Sequence, residues 1–140
     1  MKTKRLLPVL LLLAVLPLSC SSSDDFSTAN FGPAEILWKL QSFQLRDGTA
    51  IGVPDPDRYT VFFQRNGFVD ITADCNTCTG EYGIGRGLFR MAVNICTTAS
   101  CPPPTLDRRY VAAINTVTAF LMEGDVLTLT YINGTMIFRP

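Results

Sequence analysis

Residues 74–91 of the 140-residue chain read DCNTCTGEYGIGRGLFRM, and this stretch decides the fold. Tyr82 to Ile84 and Leu88 to Val93 are short β-prone runs on either side of a turn at Gly85, Arg86 and Gly87, which is typical of an antiparallel hairpin. The preceding run, Cys75 to Cys78, continues into turn and strand residues and not into a helix. The pattern predicts antiparallel sheet with a cysteine pair close to one hairpin.

Similar runs recur on both sides of this hairpin, separated by turn residues. Asn66-Gly67 and Asn133-Gly134 are hairpin signals because both residue types tolerate positive φ. The segment from Leu45 to Arg58 is rich in Gly, Pro and Asp and predicts a long loop. The other predicted strands are Ile36 to Phe43, with Trp38, Leu40 and Ser42 on one face, then Tyr59 to Phe63, Phe68 to Ala73, Val126 to Ile132 and Thr135 to Phe138.

One helix is predicted after three consecutive prolines, at Pro102 to Pro104. Thr105 is the expected cap, and Gly124 is the expected stop. The apolar residues that recur at helical spacing between them are Leu106, Tyr110, Ala113, Ile114, Val117 and Leu121. Such a stripe is expected to pack on the sheet. The fold class is therefore α+β, a single domain over residues 34–140.

The N-terminal segment has the features of an export signal. Lys2, Lys4 and Arg5 precede an uncharged apolar run from Leu6 to Leu18, which is too short as a helix to cross a bilayer of about 30 Å. We expect residues 1–19 to be a cleaved signal peptide. The Ser19-Cys20 junction resembles the lipobox of bacterial lipoproteins, although Pro17 departs from that pattern; ordinary signal peptidase cleavage nearby is the alternative.

The lipobox resemblance implies that Cys20 is acylated and that residues 20–33 are a flexible, serine-rich tether. The membrane is then the first partner of the protein, reached through this lipid anchor. Ser21 after the cysteine resembles a signal for sorting to the outer membrane, facing the periplasm. The expected localisation is the bacterial cell envelope.

Charge and composition exclude several functions. Lys2, Lys4 and Arg5 are three of the 12 basic residues, whereas all 12 acidic residues follow Cys20, so the mature part has a net charge of −3. It contains no basic block, and we expect no nucleic-acid partner. The chain has no histidine, which excludes Ser-His and Cys-His hydrolases and His-ligated metal enzymes.

Four cysteines remain if Cys20 is lipidated, and an exported protein is expected to pair them. The hairpin register places Cys78 near Cys96, which leaves Cys75 for Cys101, but Cys75 opposite Cys96 fits the register almost as well. Two other interpretations of the same sulfurs are a four-thiolate zinc site and a redox Cys-x-x-Cys motif. The export signal argues against zinc, and the missing helix after Cys75 argues against a redox role.

Six landmarks follow one another in a characteristic order. They are Trp38-Lys39-Leu40, Phe63 to Gly67, Asp74 to Tyr82, Thr97 to Pro102, Asp107 at the helix start, and Gly124 to Leu129 with Phe138. This order resembles the META domain family, small bacterial envelope proteins that include the heat-shock lipoprotein HslJ. The resemblance implies one helix against a curved, barrel-like antiparallel sheet. Asp74 stands where the family has glycine, and Cys78 and Cys96 are additions.

The resemblance also implies an association with envelope stress or antibiotic tolerance, and it brings no agreed enzymatic activity. The lipid anchor and the lack of a catalytic constellation favour a non-enzymatic module that needs no cofactor and binds an envelope protein or a small ligand. The family's motif residues in this chain are Trp38, Asn76, Gly80, Tyr82 and Asp107. The simpler interpretation of Asn76, Gly80 and Tyr82 is structural, as turn formers and a core aromatic. The alternative function is a carboxylate-dependent hydrolase using the clustered acids Asp55, Asp57, Asp70, Asp74 and Glu81.

Overall fold

The computed structural model describes residues 31–140. The predicted signal peptide, Cys20 and most of the predicted tether lie outside the described residues. The strands are β1 (Leu37–Leu45), β2 (Ala50–Gly52), β3 (Tyr59–Phe63), β4 (Phe68–Ala73), β5 (Asn76–Gly85), β6 (Leu88–Cys96), β7 (Ala119–Glu123), β8 (Val126–Tyr131) and β9 (Gly134–Arg139). The helix α1 is Asp107–Ile114, and a single 3-10 turn is Pro56–Arg58.

All strand pairs are antiparallel, in the order β6-β5-β4-β3-β1-β9-β8-β7, with β2 added to β1. The sheet curls into a half-barrel with α1 packed on it, which confirms the predicted fold class. This half-barrel has two ends. The helix end contains α1 and the ends of β1, β4, β6 and β8; the turn end contains the β3–β4, β5–β6 and β7–β8 turns.

Alternation along the strands fills the interior. Val69, Ile71 and Ala73 of β4 are buried, whereas Phe68 and Asp70 face outward. In β1 the alternation is interrupted, because a bulge between Leu40 and Ser42 shifts the pairing with β9. Trp38, Leu40 and Phe43 therefore point inward, and the prediction that Ser42 shares a face with Trp38 and Leu40 is wrong.

The turn end is closed by Phe31, which is 3% exposed. Its ring lies 4.7–5.6 Å, centroid to centroid, from the rings of Phe63, Tyr82, Phe89 and Phe120. Trp38 is fully buried, and its indole Nε1 donates a hydrogen bond to the Pro33 carbonyl at 2.8 Å, which holds the segment that follows Phe31. Residues 31–33, assigned above to the tether, are therefore part of the folded domain.

Helix α1 ends seven residues earlier than the apolar stripe suggests. Tyr110, Ala113 and Ile114 are buried as predicted, but Val117 lies beyond the helix and Leu121 is half exposed in β7. Thr116 Oγ1 donates to the Ala113 carbonyl at 3.1 Å, and the Thr118 amide donates to the Thr130 carbonyl of β8. The chain leaves the helix because it gains a strand partner. At the other end the cap position is Leu106, not Thr105.

The loop prediction for Leu45 to Arg58 missed two elements, the short strand β2 and the 3-10 turn. The strand exists because Ile51 pairs with Phe43 across the Asp47-Gly48 turn. Strands β5 and β6 extend beyond the runs expected from sequence, since each continues along its neighbour. The β5–β6 turn is at Arg86 and Gly87, both with positive φ.

Tyr110→Phe is expected to raise the free energy of unfolding by about 1 kcal/mol. The Tyr110 hydroxyl is buried without a hydrogen-bond partner among the described residues, and burial raises the pKa of this phenol well above its ordinary value. Removing an unsatisfied polar group removes its desolvation cost. Urea denaturation of the two proteins measures the difference. A loss of stability would show that the hydroxyl has a partner in solution.

Candidate functional site

The four cysteines of the domain form two disulfides at the helix end. Cys78 and Cys96 are directly opposed in the β5–β6 ladder, with Cα atoms 4.0 Å apart. Cys75 and Cys101 form the outer bond, with a Cα separation of 5.5 Å. The structure thus has one of the two pairings that the hairpin register left open. Cys75 and Cys78 are not bonded to each other, so the Cys-x-x-Cys motif does not form its own disulfide.

Asn76 fixes the segment from Thr97 to Cys101 against β5. Its Oδ1 accepts hydrogen bonds from the Ala99 amide at 2.7 Å and from Thr97 Oγ1 at 3.0 Å. Its Nδ2 donates to the Ala99 carbonyl at 3.0 Å and lies 3.5 Å from Asp107 Oδ2. The Asn76 side chain is buried and committed internally, which supports the structural interpretation of this motif residue.

A second polar cluster stabilises the turn before Asn76. The Asp74 side chain is 3% exposed and accepts hydrogen bonds from Arg58 Nε, at 2.7 Å, and from Arg58 Nη2. Tyr59 Oη lies 3.3 Å from Asp74 Oδ2 and accepts from the Leu106 amide at 2.8 Å, which links the turn to the helix start. Burial raises the pKa of Asp74, but hydrogen bonds from Thr105, Arg58 and Tyr59 together place it below its ordinary value.

Asp74→Asn is expected to lower the free energy of unfolding by about 2 kcal/mol at pH 7, because hydrogen bonds to a charged group are lost. Asparagine also tolerates the φ of 62° found at this position. The lowered pKa of the folded carboxyl stabilises the fold above the unfolded pKa, and this contribution disappears as pH falls through the folded pKa. Denaturation at pH 7 and pH 3 should therefore show a gap between wild type and variant that shrinks in acid. A gap independent of pH would contradict the ion pair.

A groove of about 550 Å³ lies between this disulfide-linked segment and α1. One wall is the stretch 97–101, and the other is formed by Asp107, Arg108, Val111 and Ala112. The groove is also lined by Asn76, Cys96 and Thr105. The groove offers hydroxyls, backbone groups, one carboxylate and one guanidinium. Such a surface can bind a polar ligand or a peptide, and it holds no pair of groups arranged for acid–base catalysis.

Asn76 and Asp107, two motif residues, thus meet in this groove together with Cys96 and Cys101. The other three motif residues lie elsewhere and are structural. Trp38 is core, and Tyr82 Oη donates to the Gln64 carbonyl at 2.7 Å near the turn end. A Cβ on Gly80 would lie 2.2 Å from the Ala92 carbonyl oxygen of β6, so only glycine fits. Sequence reasoning missed Arg58, since nothing local connects it to Asp74.

The acids proposed for a hydrolase do not form a catalytic pair. Asp57 pairs with Lys39 at 2.8 Å, and Asp74 is neutralised by Arg58. Asp70 and Glu81 are diagonal neighbours on the outer face of β4 and β5 and are exposed, while Asp55 lies in an exposed turn. Glu81 pairs with Phe68 at the start of β4, and Asp74 follows the end of that strand, roughly 20 Å away. The described residues contain no cluster of three or more metal-ligating side chains.

The fold and the site define a class: a small α+β domain, built as an antiparallel half-barrel with one helix and two disulfides at the helix end. The chain belongs to the META domain family, as the order of landmarks predicted, because the sequence model of that family matches residues 34–139. No curated protein is significantly similar to it. No helix within residues 31–140 is long and apolar enough to cross a membrane.

Two solved structures share the fold. A protein from Burkholderia xenovorans, solved by NMR, is 24% identical, with a TM-score of 0.61 over 91% of this chain and 92% of that chain. A DUF4847 family protein from Bacteroides vulgatus ATCC 8482, solved by crystallography, is 15% identical, with a TM-score of 0.56 over 78% of this chain and 94% of that chain. At these identities the likeness concerns the fold alone.

Proposed function

We propose that this META domain is a non-catalytic binding module of the bacterial envelope, anchored to a membrane through lipid on Cys20. Its task is to present the groove beside α1 to an envelope protein or a small ligand, in a role connected with stress or antibiotic tolerance. The observation that supports this most directly is the placement of Phe31. The chain enters the domain at the turn end, whereas the groove lies at the helix end.

The separation of these two ends suits an anchored binder. The ten residues between Cys20 and Phe31 span at most roughly 35 Å, so the domain would stay close to the membrane surface. A chain attached at the turn end does not cover the groove, which lies at the helix end. The two disulfides suit the same location, because they persist in oxidising compartments outside the cytoplasm.

Metabolic labelling with an alkyne palmitate analogue tests the anchor. The wild-type protein should take up label and sediment with membranes, and Cys20→Ser should do neither. Ser22→Ala is the matched control, since it alters the same segment and leaves the thiol. A wild-type protein that takes up no label and does not sediment with membranes would contradict the lipid anchor.

Survival of a deletion strain under antibiotic or envelope stress tests the groove. Ser100→Trp fills the groove and should abolish complementation, whereas Thr79→Trp, on the exposed outer face of β5, should leave it intact. Asp70→Asn combined with Glu81→Gln should complement fully, because a binding module needs no carboxylate at these exposed positions. Complementation lost in that double variant and kept in Ser100→Trp would favour the hydrolase instead.

A further inference from the structure

The cationic side chains of the domain divide into two groups. Lys39, Arg58 and Arg139 form ion pairs with Asp57, Asp74 and Asp125. Three more arginines also have interaction partners: Arg65, Arg86 and Arg90. Among residues 31–140, Arg46, Arg108 and Arg109 are in none of these interactions and have no ion pair.

These three arginines line the same cleft. It measures about 660 Å³ and lies between α1 and the β8–β9 turn, on the opposite side of Arg108 and Ala112 from the groove described above. Arg108 and Arg109 come from the first turn of α1, and Arg46 comes from the segment after β1. The Arg46 amide donates to the Asn133 carbonyl at 3.2 Å, which ties its backbone to the β8–β9 turn.

The arrangement is unfavourable for the fold alone. Cations in the first turn of a helix face the positive end of its dipole, and three like charges around one cleft repel one another. One acid, Asp47, lines the cleft. Its Oδ1 accepts a hydrogen bond from the Thr49 amide at 2.8 Å within the same turn. This hydrogen bond lowers the pKa of Asp47, so the carboxylate is ionised at neutral pH. Its single negative charge offsets only one of the three positive charges.

Apolar surface completes the cleft. Leu45, Ala112, Tyr131 and Ile132 line it, and Ile132 is 60% exposed. Tyr131 and Arg109 line the cleft together; burial raises the pKa of Tyr131, and the charge of Arg109 acts in the opposite direction. The cleft therefore combines guanidinium groups with an apolar wall that an organic ligand could contact.

We infer that this arginine cleft binds a small soluble organic anion, one with a phosphate-type oxyanion and an apolar body. Guanidinium groups bind phosphate and carboxylate oxygens through paired, charge-assisted hydrogen bonds, which an isolated ammonium group does not match. A bound dianion would relieve the repulsion among the three arginines. This cleft shares only Arg108 and Ala112 with the groove beside α1, and binding in it does not depend on the lipid anchor.

The probe is phenyl phosphate, titrated into the full-length protein by calorimetry and followed by amide chemical shifts. Binding is expected to shift the amides of α1 and of the β8–β9 turn, and to weaken as salt concentration rises. Arg109→Gln should weaken binding about tenfold, and Arg46→Gln with Arg109→Gln by about a hundredfold, because each lost charged hydrogen-bond donor reduces affinity by such a factor. Arg109→Lys should be intermediate.

Matched controls separate the cleft from general charge effects. Arg65→Gln with Arg86→Gln removes the same charge at the turn end and should leave the affinity within twofold. Phenol, which lacks the oxyanion, should not bind. If phenyl phosphate did not bind, or bound with equal affinity to all arginine variants, the proposed site would be overturned. Arginine-dependent binding to vesicles containing phosphatidic acid, without binding of phenyl phosphate, would overturn the soluble source of the anion.

Discussion

Phe31→Ala is expected to lower the free energy of unfolding by about 4 kcal/mol, the range found for truncating a buried aromatic ring. Phe31 is 3% exposed and contacts four other rings, two of them edge-on, so the substitution leaves a cavity and removes aromatic pairs. Many domains of this size have only 5–15 kcal/mol of stability in total. Urea denaturation of wild type and variant measures the change.

Phe68→Ala is the control for this prediction. Phe68 is also at the turn end, but its side chain is 49% exposed on the outer face of β4, so its loss should change stability by less than about 1 kcal/mol. Equal effects of the two substitutions would show that Phe31 does not close the sheet. A large effect at Phe31 alone would place the start of the folded domain at residue 31.

Replacing Cys75 and Cys101 by alanine is expected to lower the free energy of unfolding by about 3 kcal/mol, from the lost constraint on the unfolded chain. The Cys101 sulfur also accepts hydrogen bonds from the Cys75 amide at 3.2 Å and from Asn76 Nδ2 at 3.3 Å. Its removal should therefore loosen the segment 97–101. We expect faster hydrogen exchange at the Ala99 amide, which donates to Asn76 Oδ1.

The pair Cys78→Ala with Cys96→Ala is the matched comparison. It should reduce stability by a similar amount, because the sequence separation is 18 residues in place of 26. Exchange at Ala99 should change little, however, since the β5–β6 ladder continues beside this bond, with Thr79 opposite Ile95. If both pairs accelerated exchange at Ala99 equally, the outer disulfide would not be what holds the groove segment.

Both proposals concern the helix end of the domain, on either side of the ridge formed by Arg108 and Ala112. The groove on one side is shaped by the disulfides and Asn76. The cleft on the other side is defined by three unpaired arginines. Separate variants test them, Ser100→Trp for the groove and Arg46→Gln with Arg109→Gln for the cleft, so one can fail without the other.

The sequence by itself determined the fold class, both strands of the β3–β4 hairpin, the β5–β6 turn and the family. These features depend on neighbours along the chain: alternation with a period of two, and turn residues that tolerate positive φ, such as Gly67. The family could be predicted for a related reason, because its landmarks occur in a fixed order along the chain.

Only the tertiary structure decided the features that join residues distant in sequence. The bulge in β1 depends on its pairing with β9. Strand β7 forms where the apolar pattern predicts a continued helix, because the chain pairs with β8. Phe31 packs among rings from four strands. The convergence of Arg46 with Arg108 and Arg109 has no local signal either. Side-chain packing and charge proximity act through space, so no pattern of near neighbours in the chain could have predicted them.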